Sequence, residues 1–431
     1  WRWRASPPPL HVVERGQAER SQAGAVLLSA CGEEDRLSTA KSEGEVRLCT
    51  PKVDAITLRT HPVNGWQRRL AGVQSKAVSC AVGAAARPKT GICAMKIALD
   101  AMGSDRYPAP DVEGAVLAAR ELGVEILLVG DETRVRTELG KHDHQGLPLE
   151  IVHAPEAVAM SDRPGVAGRA KPNSSMYIGM QLVVEGQADA FVTAGNTGAA
   201  LAIATLHTLK RIPGVHRPAL CALLPFGGKP VMALDIGANA DCKAEWLAQF
   251  AVMGSLYTQH ALGRSSPRVG LLSNGEELGK GTVLVQEAAE LLQQSGVNFV
   301  GNVEPKEILG GRVDVAVMDG FSGNVLLKSM EAIGAAVFDL IRQELHADWR
   351  SKMAGLLGKP AFRRVYRRID PFEVGGAPLL GVNGVVIIAH GRSNAFAVKN
   401  AIRQAQYAVS GRIVQAIADG LYAAPAQSEQ S

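Results

Sequence analysis

Several common devices are scarce or missing in this chain. Its six cysteines include no close-spaced pair, so neither a disulfide framework nor a zinc site is indicated, and a reducing compartment fits best. No apolar run is long enough to span a bilayer, which reads as a soluble or peripheral protein. An excess of one charge is missing too: 46 Lys and Arg stand against 42 Asp and Glu. The balance is uneven along the chain, with 14 basic and 8 acidic residues in positions 1–94 and 32 against 34 thereafter. Residues 95–431 are therefore not a basic nucleic-acid binder.

Positions 1–94 lack methionine, a sustained helix or strand period, and the apolar core of a secretory signal. Eight acidic residues argue against a transit peptide. This leader is read as an upstream translation extension, disordered or absent in the working protein, with the fold beginning at Met95. The familiar active-site motifs are also missing. The first strand leads to Asp-Ala-Met-Gly-Ser-Asp, not to a dinucleotide fingerprint. Gly275 to Thr282 imitates a phosphate-binding loop but is one residue short between its glycines and has Gly281 where a hydroxyl residue must follow Lys280. Gly320-Phe321-Ser322-Gly323-Asn324 misses the nucleophile elbow at its last position.

Strands alternating with helices are there in abundance. "KIALD", "VEILLVGD", "LEIVHA", "DAFVTAG", "PVMAL", "RVGLLS", "VNFVG", "VDVAVM" and "GVVIIAH" read as strands. Between them, 110–122, 174–185, 197–210, 243–262, 283–294, 324–345 and 394–418 read as helices. This pattern implies βαβ units, a largely parallel sheet and helices on both faces. Four strands stop at Gly/Asn/Asp loops: Gly195-Asn196-Thr197-Gly198, Asp235-Ile236-Gly237-Ala238-Asn239, Asn274-Gly275-Glu276-Glu277, and Asp319 to Asn324. In an open α/β sheet such loops are expected to gather outside the carboxyl ends of the strands, where amides at helix starts hold an anion.

With no nucleophile motif and no metal cluster, the remaining chemistry is a site that binds two substrates and lets one attack the other. It needs anion donors, an oxyanion pocket and a proton donor. Backbone amides and Asn side chains supply the first two; Lys171, Arg217, Lys280, Lys328 and His390 flank the loops. Plainer readings stand beside these. Asp100, Asp235 and Asp319 suit helix capping, an Asn in a Gly-rich turn suits positive φ, and His390 suits a satisfied buried position.

"IALDAMGSD", "FVTAGNTGAALA", "RPAL", "LDIGANADCKAEWLAQFAVMG", "LLSNGEELGKG", "NFVGNVEP", "VDVAVMDGFSGNVLLKSMEA" and "FEVGGAPLLGVNGVVIIAHGRSNAFAVKNAI" together resemble the bacterial phosphate acyltransferases of phospholipid synthesis. The resemblance runs from Met95 to about Gly420 and departs at Ser104, where a second glycine is expected. It implies a catalytic domain over 95–420, including a helical hairpin at about 324–370, followed by a flexible tail at 421–431. It implies a Rossmann-like α/β/α fold of the isocitrate/isopropylmalate dehydrogenase kind, a homodimer, and no nicotinamide or other cofactor and no metal. The implied reaction moves an acyl group from acyl-[acyl carrier protein] to orthophosphate, for later transfer to glycerol 3-phosphate by a membrane acyltransferase.

On that resemblance, phosphate is expected on the amides of 195–197 and 237–239, near Lys328 or Lys280. Asn196, Asn239 or Asn324 is the expected oxyanion donor, and His390 the proton donor to the departing thiolate. Asp100, Gly103, Lys171, Gly198, Arg217, Asp235, Asn274, Asp319, Gly320 and Gly323 complete the expected substrate site. Alternatives are a short-chain phosphotransacylase using coenzyme A thioesters, a non-catalytic membrane-recruiting scaffold, and a dehydrogenase, which the absent fingerprint disfavours.

One further stretch stands out. From Trp349 to Arg368 seven basic residues occur with no acid, interleaved with Trp349, Leu356 and Leu357. This reads as two short helices broken at Gly358-Lys359-Pro360, with Arg363, Arg364 and Arg367 facing an anionic membrane or an acidic carrier protein. A cytoplasmic protein, peripheral at the inner membrane face, is the expectation; a dimer interface with a solvated basic face is the plainer reading.

Overall fold

The computed structural model describes residues 95–225, 229–277 and 279–423. The leader lies outside the described residues. Of the expected tail, 421–423 belong to the last helix, and the rest lies outside the described residues as well.

The chain alternates from its first described residues. β1 (Lys96–Asp100) leads to α1 (Ala109–Leu122), β2 (Glu125–Gly130) to α2 (Glu132–Leu139), and β3 (Leu149–His153) to α3 (Pro164–Ala170) and α4 (Ser175–Val184). β4 (Ala190–Thr193) opens into α5 (Thr197–Ala202), which continues as a π-helical turn, Ile203–His207. β5 (Ala219–Leu224) and β6 (Val231–Leu234) follow, then α6 (Ala244–His260), β7 (Val269–Leu272) and α7 (Val283–Gln294). β8 (Phe299–Val303), α8 (Pro305–Leu309) and β9 (Val315–Val317) precede two long helices, α9 (Gly320–Ala347) and α10 (Trp349–Ile369). A turn, α11 (Pro371–Val374), and a hairpin of β10 (Ala377–Leu380) and β11 (Val385–Ile388) lead to α12 (Ala395–Ser410) and α13 (Ile413–Ala423).

The strands form one sheet in the order β3-β2-β1-β4-β11-β10-β5-β6-β9-β7-β8. Buried strand residues alternate between its faces. Ile97, Leu99, Ala190 and Val192 pack with α1, α2, α6, α7, α12 and α13 on one side. Ala98 and Phe191 pack with α4, α5 and α8 on the other, where Leu326, Leu327 and Met330 of α9 also lie. The result is an α/β/α sandwich with both sheet faces covered, as a mostly parallel sheet requires.

One feature departs from the expected parallel gathering of loops. The pairs β11–β10, β10–β5 and β5–β6 are antiparallel, while all the others are parallel. An odd number of reversals turns the second half of the sheet over. The carboxyl ends of β1, β4 and β11 thus lie at one end of the sheet, and those of β6, β9, β7 and β8 at the opposite end. The four Gly/Asn/Asp loops are divided between the two.

Four helix expectations differ as well. α10 runs unbroken through Pro360 in place of two short helices. It is an exposed helix that continues past the proline, although residue 360 has no amide to donate to the preceding turn. The 197–210 segment changes to π-helical geometry at Ile203, and the 394–418 segment divides at Gly411-Arg412, where Arg412 takes a φ of 48°. The hairpin begins earlier than expected, at Gly320, because Asp319 caps α9: its carboxylate accepts from the Ser322 amide at 2.8 Å and hydroxyl at 2.7 Å.

α9 is seated on the loop after β6. The Gly320 amide donates to the Asn239 carbonyl at 2.8 Å. A Cβ on Gly323 would be driven into the Asp235 carbonyl oxygen, whereas one on Gly334, in the same helix, would meet nothing within 4 Å. Gly323→Ala should therefore cost roughly 1–3 kcal/mol through overpacking. Gly334→Ala should be neutral or stabilising by about 0.5–1 kcal/mol. Urea unfolding of the two variants checks the difference, and equal midpoints would contradict this seating.

Candidate functional site

At the first end of the sheet three loops lie side by side because β1, β4 and β11 are neighbours. Asp100 closes β1, is buried, and accepts from the Met102 amide at 3.0 Å and the Thr193 hydroxyl at 2.8 Å. Burial pushes its carboxyl above the ordinary value, against the pull of hydrogen bonds from Thr193 and Met102. Thr193 in turn accepts from the Gly195 amide at 2.9 Å. Gly103 is pressed against these groups, since a Cβ there would lie 2.9 Å from the Gly195 nitrogen and from the Thr193 hydroxyl. Asp100 and Gly103 thus shape the Gly195 loop.

Asn196 caps α5 through Oδ1, which accepts from the Ala199 amide at 3.0 Å. Its Nδ2 donates to the carbonyls of Met160 and Asp162, each at 3.1 Å. That pins the 159–162 segment and leaves no side-chain donor for an oxyanion, so the expected donor role does not fit. Lys171 is similarly committed, donating to Asp162 at 2.6 Å and to the Ala157 carbonyl at 3.0 Å. Its hydrogen bond, with that of the Ala159 amide, holds the Asp162 carboxyl below the ordinary value. Thr197 and Gly198 remain: their amides open α5 and have no partner among the described residues.

His390 follows β11, next to the β4 loop because Ile388 pairs with Thr193. It is exposed, not buried. Its Nδ1 accepts from the Arg392 amide at 3.2 Å, so the neutral ring carries its proton on Nε2. Partial burial, then the charges of Arg392 and Lys328, depress its pKa, while Glu331 and Asp105 oppose them. A lowered pKa favours the neutral ring near pH 7, which donates a hydrogen bond through Nε2–H; the expected acid role requires the cationic ring.

Lys328 reaches this end because α9 starts at the far end of the sheet and runs back along it. It pairs with Glu331 at 2.9 Å. Asn324, one turn earlier on the same helix face, is exposed and its side chain has no hydrogen-bond partner among the described residues.

The opposite end is differently occupied. Asp235 is buried, and its carboxylate accepts from the amides of Leu220, Gly237, Ala238 and Asn239 and from Asn239 Nδ2, at 2.7–3.1 Å. Burial still pushes its carboxyl above the ordinary value. Asn239 Nδ2 also donates to the Pro218 carbonyl at 2.8 Å. The amides of 237–239 and the Asn239 side chain are thus spent internally, contrary to the expectation that they hold phosphate and an oxyanion.

Arg217 stacks 5.0 Å from the Trp246 ring centroid. Asn274 accepts from the Gly281 amide at 2.9 Å and so closes the loop that carries Lys280. Arg217, Asn274 and Lys280 lie at the far end with Asp235, Asp319 and Gly320, apart from His390. Burial raises the Cys242 thiol to about 11 and the Cys221 thiol well above 9.0, so neither is a ready nucleophile.

Thr193, Arg392 and Asp105 escaped the sequence reading. Thr193 sits inside an apolar strand run, and only its register against β1 aims its hydroxyl at Asp100. Arg392 and Asp105 matter through proximity to His390, which spacing along the chain does not encode.

A family model described as "Fatty acid synthesis protein" matches residues 95–416. A phosphate acyltransferase of Pelotomaculum thermopropionicum is 50% identical over 323 residues, which make up 75% of this chain and 94% of that protein. One of Trichlorobacter lovleyi is 49% identical over 328 residues, 76% of this chain and 94% of its own. Among solved structures, EutD phosphotransacetylase from Staphylococcus aureus is similar with a TM-score of 0.47 and 21% identity, covering 73% of this chain and 94% of that one.

The His390 geometry has a direct readout. A proton NMR titration of its ring should give a midpoint below the ordinary imidazole value of 6.5, with the ring neutral above that midpoint. A midpoint above 6.5 would contradict this placement of His390 beside Arg392 and Lys328.

Proposed function

This chain belongs to the phosphate acyltransferase family, and from that premise we propose that it transfers a fatty acyl group from acyl-[acyl carrier protein] to orthophosphate. The acyl phosphate then serves glycerol 3-phosphate acylation by a membrane acyltransferase. The observation that carries the reading is the meeting of two sets of groups at one end of the sheet. Free amides at Thr197 and Gly198 lie on the loop beside His390, and α9 brings Lys328 close to His390.

In this reading phosphate rests on the two amides with Lys328 and Arg392 balancing its charge. A phosphate oxygen attacks the thioester carbonyl carbon, and the negative charge moves to the carbonyl oxygen. His390 Nε2–H donates to that oxyanion. The carbon–sulfur bond breaks as the carbonyl re-forms, and the proton carried by the phosphate passes to the departing thiolate. The raised thiols of Cys221 and Cys242 favour this direct attack over a covalent enzyme intermediate.

The hairpin of α9 and α10 supports a second part of the proposal, a peripheral membrane position and a homodimer. No helix of the described residues is long and apolar enough to cross a membrane. Yet Trp349 is 71% and Leu357 79% exposed, with Leu356, Arg363, Arg364 and Arg367 exposed on the same helix. Tyr366 packs edge-on to Phe338 at 5.4 Å between ring centroids, which ties α10 to α9. An apolar tip followed by a basic stem suits an anionic bilayer or an acidic carrier protein, and the exposed Ile333 and Leu340 of α9 suit a second copy.

With a long-chain acyl-[acyl carrier protein], acyl phosphate and free thiol should form together and only when orthophosphate is present. His390→Ala should lower kcat by roughly 10²–10³-fold. Thiol release without phosphate, or equal turnover of short-chain acyl-coenzyme A, would overturn the assignment. In flotation with anionic liposomes, Leu356→Glu with Leu357→Glu should lose binding; unchanged flotation removes the membrane contact.

A further inference from the structure

Ser104 and Asp111 form a buried pair that the reaction described above does not use. The Ser104 hydroxyl donates to Asp111 Oδ2 at 2.6 Å, and both residues are almost wholly inaccessible, Asp111 at 0% and Ser104 at 2% exposure. Asp111 Oδ1 is buried with no hydrogen-bond partner. A carboxylate in such a place is costly unless it is neutral. Burial raises this carboxyl to about 8, with the nearby Asp100 charge adding to the effect, so near pH 7 it is chiefly an uncharged acid. Ser104 occupies the place where a glycine was expected, and its hydroxyl finds its partner in the first turn of α1.

The pair sits where loops of the site are joined. On one side of Ser104, Gly103 is pressed against the Gly195 amide. On the other, the Asp105 amide donates to the Gly391 carbonyl at 2.8 Å, next to His390. α1, which carries Asp111, packs closely on α12, where Gly114 leaves room for Val398. The loop from Met102 to Asp105 therefore bridges the Gly195 loop and the His390 turn, and Asp111 fixes its middle to the helix layer beneath.

We propose that Asp111 is a positioning residue for the phosphate site: through Ser104 it holds the 102–105 loop and thereby sets the separation between the Thr197 and Gly198 amides and His390. This rests on the reading that phosphate binds at those amides. Asp111 touches no substrate; it acts through the hydroxyl it accepts.

The test is a double-mutant cycle read with two measurements. Ser104→Ala and Asp111→Leu should each raise the orthophosphate KM roughly tenfold or more, with kcat affected less, because misplaced loops weaken binding of the anion. The double variant should be no worse than the poorer single one. Asp111→Asn keeps a neutral acceptor and should stay within about twofold of the parent protein. Additive losses, an Asp111→Asn variant as impaired as Asp111→Leu, or an unaltered KM in Ser104→Ala would each overturn the proposal.

Should Asp111→Leu fail to fold, Ser104→Ala and Asp111→Asn decide: their combination should match Ser104→Ala alone, and a further loss on adding Asp111→Asn would overturn the proposal. Amide hydrogen exchange of the full chain gives the second, activity-independent readout. Exchange at Asp105 should quicken in Ser104→Ala, and unchanged exchange would overturn the clamp. If the parent protein makes no acyl phosphate, the functional reading fails while this exchange measurement still judges the clamp.

Discussion

The fold of the second half of the sheet hangs on one carboxylate. Asp235 gathers four backbone amides and one side-chain amide, which winds residues 235–239 into a fixed loop. A buried carboxyl is expensive unless its lone pairs are filled, and here they are. That loop offers α9 its seat: the Asn239 carbonyl takes the Gly320 amide, and the two glycines let helix and loop backbones touch. The direction of α9 follows, and with it the arrival of Lys328 near His390. Asp235 reaches the chemistry only through this chain of contacts.

The sheet reversal gives that helix its purpose. Three successive antiparallel pairings send the loops of the two halves to opposite ends, so they cannot form a site by adjacency. α9 spans the distance from one end to the other. Each end uses the same device, an aspartate buried at the close of a strand and folded into its own loop, Asp100 in one half and Asp235 in the other. Their outcomes differ. The first leaves amides at Thr197 and Gly198 unspent; the second spends its amides on its own carboxylate and serves as scaffold. A chemical site and a mechanical one have been built from similar strand-end text.

Much of this was legible in the sequence. The α7 boundaries, Val283–Gln294, follow directly from a clean amphipathic period after Thr282. The α/β class follows from the alternation itself, and the Gly/Asn/Asp loops do close strands, although not at one common end of the sheet. What escaped was relational. β5 and β10 read poorly as strands, and each enters only antiparallel pairs; missing them hides the reversal and makes all loops seem to share one end. Side-chain amides were misassigned for a similar reason. Asn196 and Asn239 resemble oxyanion donors by type, but whether a donor is free depends on carbonyls 21 to 37 residues away. The Asp319 cap was readable as a strand-end carboxylate before a helix, and it does that work. Pro360 misled because a proline inside a helix removes one hydrogen bond without always ending the helix.

The central claim is that phosphate binds at the first end of the sheet, on the Thr197 and Gly198 amides, within reach of groups carried by α9. A crystal structure of the protein soaked in orthophosphate tests it most directly. The account predicts a tetrahedral anion within hydrogen-bond distance of those two amides, with the 237–239 amides still bound to Asp235. An anion held instead by the 237–239 loop, with the Asp235 hydrogen bonds broken, would contradict it.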